Sequence, residues 1–337
     1  MDRRYVLSID GGGIRGILPA CLLVELERVT GRLARETFSF AAGTSTGAII
    51  AAGVAAGLPA TRILDIYRNR AREIFVRTPF TPLKRIVRGY QYGNRTLARV
   101  MAEELGPHGD WTLNDAPIDV MFTATRVSDG MPWYFVRDNP ANARSTGKLH
   151  MVDCVTASAC APTYFEPWVI SQAAGGRSSN GEPIGALVDG GVGVAGNPVY
   201  QTCVEAFFYN TNYQPEATIV VSLGTGRFVE RRQPTWIWPW FQWTLGQLMR
   251  SPGEQQTQLV QRHFSSTPLY RLDPDLQQLD PMLTNPIELD DVGSVDVLLE
   301  YGRRFAEKVN WHRILEDNDE SFRIHRHNTL WKQYKQS

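Results

Sequence analysis

Three short segments carry residue types and spacings that could do chemistry. Gly43-Thr44-Ser45-Thr46-Gly47 sets a serine between two glycines. Between a strand and a helix, this G-x-S-x-G spacing makes a nucleophile elbow. The turn is too sharp for side chains at the glycine positions, and the serine hydroxyl is held out at a helix start. The positive end of the helix dipole then favours charge developing on its oxygen. Asp10-Gly11-Gly12-Gly13-Ile14-Arg15-Gly16 is the second segment. Glycines let the backbone turn successive N–H groups outward, so this loop before a helix suits an anion. The third is Asp189-Gly190-Gly191 after the apolar run Ala186-Leu187-Val188, which places a carboxylate at a strand end.

A serine is a poor nucleophile until a base takes its proton. Two kinds of base are open. His263, His312, His325 and His327 have the chain order of an α/β-hydrolase base, and no motif surrounds any of them. Asp189 is the other, provided that burial raises its pKa. A different chemistry also fits the glycine loop. Gly11, Gly13 and Gly16 match a dinucleotide-binding pattern, which requires an acid at the end of the second strand. Glu36 stands before that strand, and the strand ends in the serine turn instead.

The surrounding pattern supplies the elements that must position these groups. Tyr5–Ile9 reads as a buried strand, Ile17–Val29 as a helix, Thr37–Ala41 as a second strand and Thr46 to about Ala56 as a small-residue helix. Leu58–Thr61 reads as a turn and helix start. Ile118–Arg126 and Trp133–Val136 predict a strand pair about a Ser128-Asp129-Gly130 turn, and Thr218–Leu223 another strand. Ser294 is placed to cap a helix carrying Leu298, Tyr301, Phe305 and Val309. Strands alternating with helices predict an α/β fold with a mostly parallel sheet covered on both faces. No linker divides the chain, so one domain is expected over 1–337. Its motif-bearing core spans about 5–226, followed by a helical and aromatic region over 227–337.

Composition narrows the class. The 337 residues carry 35 Lys plus Arg against 35 Asp plus Glu, which argues against a globally basic nucleic-acid binder. The four cysteines, Cys21, Cys154, Cys160 and Cys203, lack metal-type spacing and read as buried thiols. Met1–Arg4 runs directly into a strand, so no signal peptide is expected and the chain reads as cytoplasmic. The uncharged stretch Thr37–Thr61 is mostly small residues and holds Pro59, which predicts a buried helix rather than a membrane span.

Taken together, the three chemical segments resemble the patatin-like phospholipase family, with its D-G-G-G-x-R-G loop, G-x-S-x-G and D-G-G in that order. Ala157–Phe165, Val221–Gly226 and the Leu289-Asp290-Asp291 run extend the likeness over nearly the whole chain. The resemblance implies a three-layer α/β/α fold and a Ser–Asp dyad without histidine. Ser45 would be the nucleophile and Asp189 the base. Gly11, Gly12 and Gly13 would form the oxyanion hole, with Arg15 close by. It further implies hydrolysis of a fatty acyl ester, phospholipase A-type, through an acyl-serine, with no cofactor or metal. The alternative is an esterase or thioesterase acting on soluble acyl substrates. Some bacterial relatives are switched on by cyclic nucleotides, which makes such an activator a candidate partner; no residue set in the sequence is assigned to it. One departure stands out. The run Asp189–Pro198 is about one residue longer than the family's, with Gly196 replacing an asparagine, so its loop is expected to bend differently.

Two features bear on membrane contact. Arg68–Arg99 holds eight Arg and Lys84 against Glu73, while 272–302 holds acids and no Lys or Arg. These are read either as two offsetting solvated faces or as a basic patch for anionic headgroups. Trp236, Trp238, Trp240 and Trp243 cluster beside Phe241, as either an interfacial anchor or a hydrophobic cap on the sheet.

Overall fold

The structure is a computed structural model that describes residues 3–76, 89–141, 146–172, 175–177, 183–193, 195–229, 235, 240 and 253–325. Its strands are β1 (Arg4–Ile9), β2 (Phe40–Thr44), β3 (Asp119–Arg126), β4 (Pro132–Val136), β5 (Trp168–Val169), β6 (Ala186–Asp189), β7 (Thr218–Leu223) and β8 (Leu269–Leu272). All belong to one sheet. The strands β8, β7, β1, β2 and β3 run parallel, while β4 and β6 pair antiparallel with β3.

Alternation within the strands explains the layers. Leu7, Ile9, Ala41, Val120, Phe122 and Val221 face one hydrophobic cluster, under the helices Ile17–Thr30, Thr46–Ala56, Met151–Ala159 and Val295–Ala306. Val6, Phe40, Ala42, Met121 and Val220 face a second cluster, covered by Val199–Val204 and helical residues 253–263. Period-two side chains buried on both faces require helices on both faces. The result is the expected α/β/α sandwich.

The elbow helix Thr46–Ala56 matches its predicted bounds and is buried throughout. All four cysteines are buried free thiols. Among the described residues no helix is long and apolar enough to cross a membrane. The second strand lies later than its predicted Thr37–Ala41, because Ala34–Thr37 forms a helical turn and Ser39 makes the entry into β2. The Ser294 cap also differs. Its hydroxyl donates to Asp291 Oδ2 rather than capping the helix, which ends at Ala306, short of Val309.

The pairing around β3 places the site. Thr44 on β2 is level with Thr123, and Asp189 on β6 is level with Ala124, the next residue along. β4 pairs with Thr123 and Ala124 as well, so it holds the opposite edge. A strand has only two edges. β2 and β6 therefore share one edge of β3 and meet end to end. The N–H groups of Asp119 and Val127 reach Ser39 and Ala186 along that edge. Residues far apart in sequence, Ser45 and Asp189, come together where the two strand ends abut.

Candidate active site

Ser45 follows β2 and precedes the elbow helix with φ 57 and ψ −123. A non-glycine residue there costs about 1–3 kcal/mol and persists only when its surroundings enforce it. Here the enforcement is local and tight. A Cβ on Gly43 would lie 2.1 Å from Gly47 O, and one on Gly47 would lie 2.2 Å from Ile9 O. The Ser45 N–H donates to the buried Ser158 Oγ at 2.9 Å. Ser158 lies in the Ala157–Phe165 block and has no motif that assigns it this task. Ser158→Ala leaves that buried N–H unpaired. It is expected to cost about 1–3 kcal/mol, read as a lower urea midpoint.

Asp189 is buried, at 1 % exposure. Its Oδ1 accepts the Gly191 N–H at 2.7 Å, and its buried Oδ2 has no hydrogen-bond partner among the described residues. Burial pushes the carboxyl up to about 6, with the Ser45 hydroxyl and the Gly191 N–H pulling it back. The Ser45 hydroxyl is thus close enough to favour the carboxylate without being aligned in a formed hydrogen bond. Gly190 permits this approach, since a Cβ there would sit 2.2 Å from Thr123 Oγ1. The loop after Asp189 is firmly tied despite its extra length. Thr125 Oγ1 donates to Val192 O at 2.8 Å, and Thr44 Oγ1 donates to Ala195 O.

The glycine loop divides its amides unequally. The Gly11 N–H donates to Gly196 O at 2.9 Å, so it is spent on the loop after Asp189 and is not an oxyanion donor. This corrects the sequence expectation for Gly11; replacement of an asparagine by Gly196 does not prevent its backbone from making the tie. Gly12 and Gly13 donate no hydrogen bond to the described residues, and both line the cleft beside Ser45. Their carbonyl partners orient them. Thr225 Oγ1 donates to Gly11 O at 2.7 Å, and Gly12 O accepts the Arg15 N–H at 3.2 Å and Arg15 Nε at 3.3 Å. Arg15 therefore acts on the loop carbonyl. Asp10, the first residue of the loop, is fixed by a bidentate pair with Arg271 at 2.6 and 2.9 Å. Burial pushes Asp10 up to about 6 against the pull of Arg271.

The cleft holds about 650 Å³, counting its solvent-open part, and its walls are mostly apolar. Ile49, Ile66, Ile74, Phe75, Leu97 and Phe165 are among them. Tyr67 brings a hydroxyl near the elbow, where it bonds Thr46 Oγ1 and the Thr46 carbonyl. The outer wall is braced by ions. Arg70 reaches Glu73, Glu103 and Glu104 at 2.7, 2.5 and 2.6 Å, Arg99 pairs with Glu73 and Glu103, and Arg62 binds Glu104. The offset expected from the acids of 272–302 is therefore made locally for Arg70 and Arg99; Asp273 instead binds Arg271 and Arg227. Arg77, Lys84, Arg85 and Arg88 lie outside the described residues, as do Trp236, Trp238 and Trp243. Trp240 is described and is 47 % exposed. None of the five described histidines lines the cleft. His263 Nδ1 is bonded to Tyr200, His150 Nδ1 to Asp110 O and His325 to Glu320. Glu36 accepts the Leu33 N–H, away from any ribose-binding place at the end of β2. Among the described residues, no group of three His, Cys, Asp or Glu could hold a metal ion.

A mostly parallel α/β sheet with a strand–turn–helix serine, a buried carboxylate close to it and a glycine loop alongside defines the class. The patatin-like phospholipase family model matches residues 7–202, and the chain belongs to that family. It is 29 % identical over 238 residues to a cGAMP-activated phospholipase of Vibrio cholerae serotype O1, covering 65 % of this chain and 63 % of that protein. It is 26 % identical over 353 aligned positions to Patatin-17 of Solanum cardiophyllum, covering 94 % and 86 %. The match to the Vibrio protein thus spans just under two thirds of that relative's length. Among solved structures, VipD from Legionella pneumophila aligns over 94 % of this chain and 67 % of its own, with TM-score 0.42 and 13 % identity.

Proposed function

We propose that the protein is a metal-independent lipid acyl hydrolase of phospholipase A type, with Ser45 as nucleophile and Asp189 as base. The observation that carries this reading is the Asp189 carboxyl, buried within reach of the Ser45 hydroxyl and with its Oδ2 lacking a hydrogen-bond partner among the described residues. A buried carboxylate oxygen without a donor is costly, and a base needs such an open lone pair. Membership in the phospholipase family and the apolar cleft support a fatty acyl substrate.

In the first half-reaction the Ser45 Oγ–carbon bond forms as its proton passes to Asp189 Oδ2. The carbonyl electron pair moves onto oxygen, facing the Gly12 and Gly13 N–H groups. Collapse expels the lysolipid alkoxide, which takes the proton from Asp189. Water then repeats the sequence on acyl-Ser45, and the fatty acid leaves. Each oxyanion donor of this kind is worth about 2.7–4 kcal/mol.

The test is fatty-acid release from mixed phospholipid vesicles with EDTA present, by wild type and Ser45→Ala, beside a short soluble ester. Release from vesicles that EDTA spares and Ser45→Ala abolishes supports the reading. Turnover of the soluble ester alone favours an esterase, and persistent release by Ser45→Ala removes the nucleophile. A cyclic-dinucleotide arm belongs in the same assay, since the Vibrio relative is named as cGAMP-activated.

A pH profile follows from Asp189. The base works as the carboxylate, so kcat/KM is expected to fall below about pH 6. Asp10 titrates in the same range, and its protonation weakens the pair with Arg271. The acid limb is therefore expected to be steeper than one proton, and Asp10→Asn should reduce its slope. A profile flat from pH 7 to 4.5 would exclude Asp189 as base.

A further inference from the structure

We infer that Thr225 is a positioning residue for acyl transfer, its hydroxyl orienting the Gly12 N–H toward the oxygen that gains charge. The inference rests on the reading of Ser45 as nucleophile. Thr225 lies after β7, far from Ser45 in sequence, and is 6 % exposed. Its hydroxyl donates to Gly11 O at 2.7 Å. The Gly11–Gly12 peptide is planar and trans, so the Gly12 N–H points opposite to the carbonyl that Thr225 holds. Gly12 lines the cleft beside Ser45, and its N–H has no hydrogen-bond partner among the described residues.

The threonine is itself clamped. The Gly226 N–H donates to Asp273 Oδ1 at 3.0 Å, and a Cβ on Gly224 would lie 2.0 Å from the same oxygen. Arg271 joins Asp273 to Asp10, so the two loops share one buried ionic base. The fit between them is tight. A Cβ on Gly12 would meet Thr225 Oγ1 at 2.3 Å. Removing the hydroxyl while keeping the shape leaves Gly11 O without that donor and the peptide plane free to turn. The N–H then loses alignment with the oxyanion, which matters in the transition state and little in substrate binding.

The experiment compares Thr225→Val, Thr225→Ser and Ser45→Ala with wild type, under conditions in which wild type turns over. It reads kcat and KM on a soluble p-nitrophenyl ester, and Tm. Thr225→Val is expected to lose about tenfold to a hundredfold in kcat, with KM within about twofold. Thr225→Ser, which retains the donor, should recover most of the rate. If Thr225→Val keeps wild-type kcat, or loses only through KM, the hydroxyl does not position the amide. If Thr225→Ser folds yet loses as much as Thr225→Val, shape rather than the hydrogen bond is responsible, and the inference fails. Should Thr225→Val not fold, Thr225→Ala takes its place in the comparison with Thr225→Ser. Ser45→Ala separates the two levels. Inactive Ser45→Ala with fully active Thr225→Val sinks this inference alone, whereas active Ser45→Ala sinks the nucleophile assignment itself.

Discussion

Asp189→Asn is expected to cut turnover by about 10²–10⁴ while making the protein more stable at neutral pH. The amide keeps the size of the carboxylate and still accepts the Gly191 N–H, but it cannot take the Ser45 proton. Loss of a general base costs about 10²–10⁴ in rate. The stability effect has the opposite sign. The folded-state pKa of about 6 stands above the ordinary aspartate value of 3.8, so the folded state binds the proton more tightly than the unfolded chain. That contribution to stability is fully present below about pH 3.8 and is lost as pH rises through about 6. At neutral pH the ionised carboxylate therefore costs on the order of 3 kcal/mol. Asp189→Asn removes this cost, less whatever its unpaired amide N–H groups cost in turn. Urea unfolding of both proteins at pH 7.5 and pH 4 checks it. The variant should be the more stable at pH 7.5, and the gap should close toward pH 4. A variant less stable than wild type at both pH values would show that the carboxylate is structural rather than strained for function.

Gly47→Ala should cost both fold and function, although it adds a single methyl group. Its Cβ would lie 2.2 Å from Ile9 O and 2.8 Å from Asp10 O. Both are backbone atoms, one ending β1 and the other opening the glycine loop, so no side-chain rotation relieves the contact. The elbow helix must lift from the sheet, carrying Ser45 with it. Overpacking of this kind costs about 1–3 kcal/mol or more, and a shift of ~1 Å at Ser45, the proposed nucleophile, is expected to cost about 10²-fold in rate. The check is Tm and kcat side by side, with Gly31→Ala as a control. Gly31 has open space around its Cβ, and its cost should be limited to the strain of its φ of +67. Near-wild-type activity in Gly47→Ala would mean that the elbow tolerates displacement.

The two predictions expose different parts of one design. Ser45 is held in a strained backbone conformation by glycines that let the elbow approach β1 and by Ser158. Asp189 is held with one oxygen bonded and the other bare. Neither arrangement maximises stability; Ser45 lines the cleft, and the Asp189 carboxylate is buried close to its hydroxyl. Strain and unpaired polar atoms concentrated in this way are a recurring mark of functional sites.

The amino-acid sequence by itself determined the local parts. The elbow turn, the helix Thr46–Ala56 and the strand ending at Asp189 were legible because turn chemistry and hydrophobic period act over a few neighbours. The fold class followed from their alternation. The tertiary structure decided what faces what. That β2 and β6 share an edge of β3, bringing Ser45 to Asp189, depends on pairing between distant strands and leaves no local pattern. The same holds for Gly11, whose amide is spent on Gly196, and for Ser158 and Thr225, which reach the site from remote segments. A hydrogen bond across the sheet is satisfied by position rather than by periodicity. The sequence therefore names the groups that can react, and long-range packing decides which of their atoms remain free to do so.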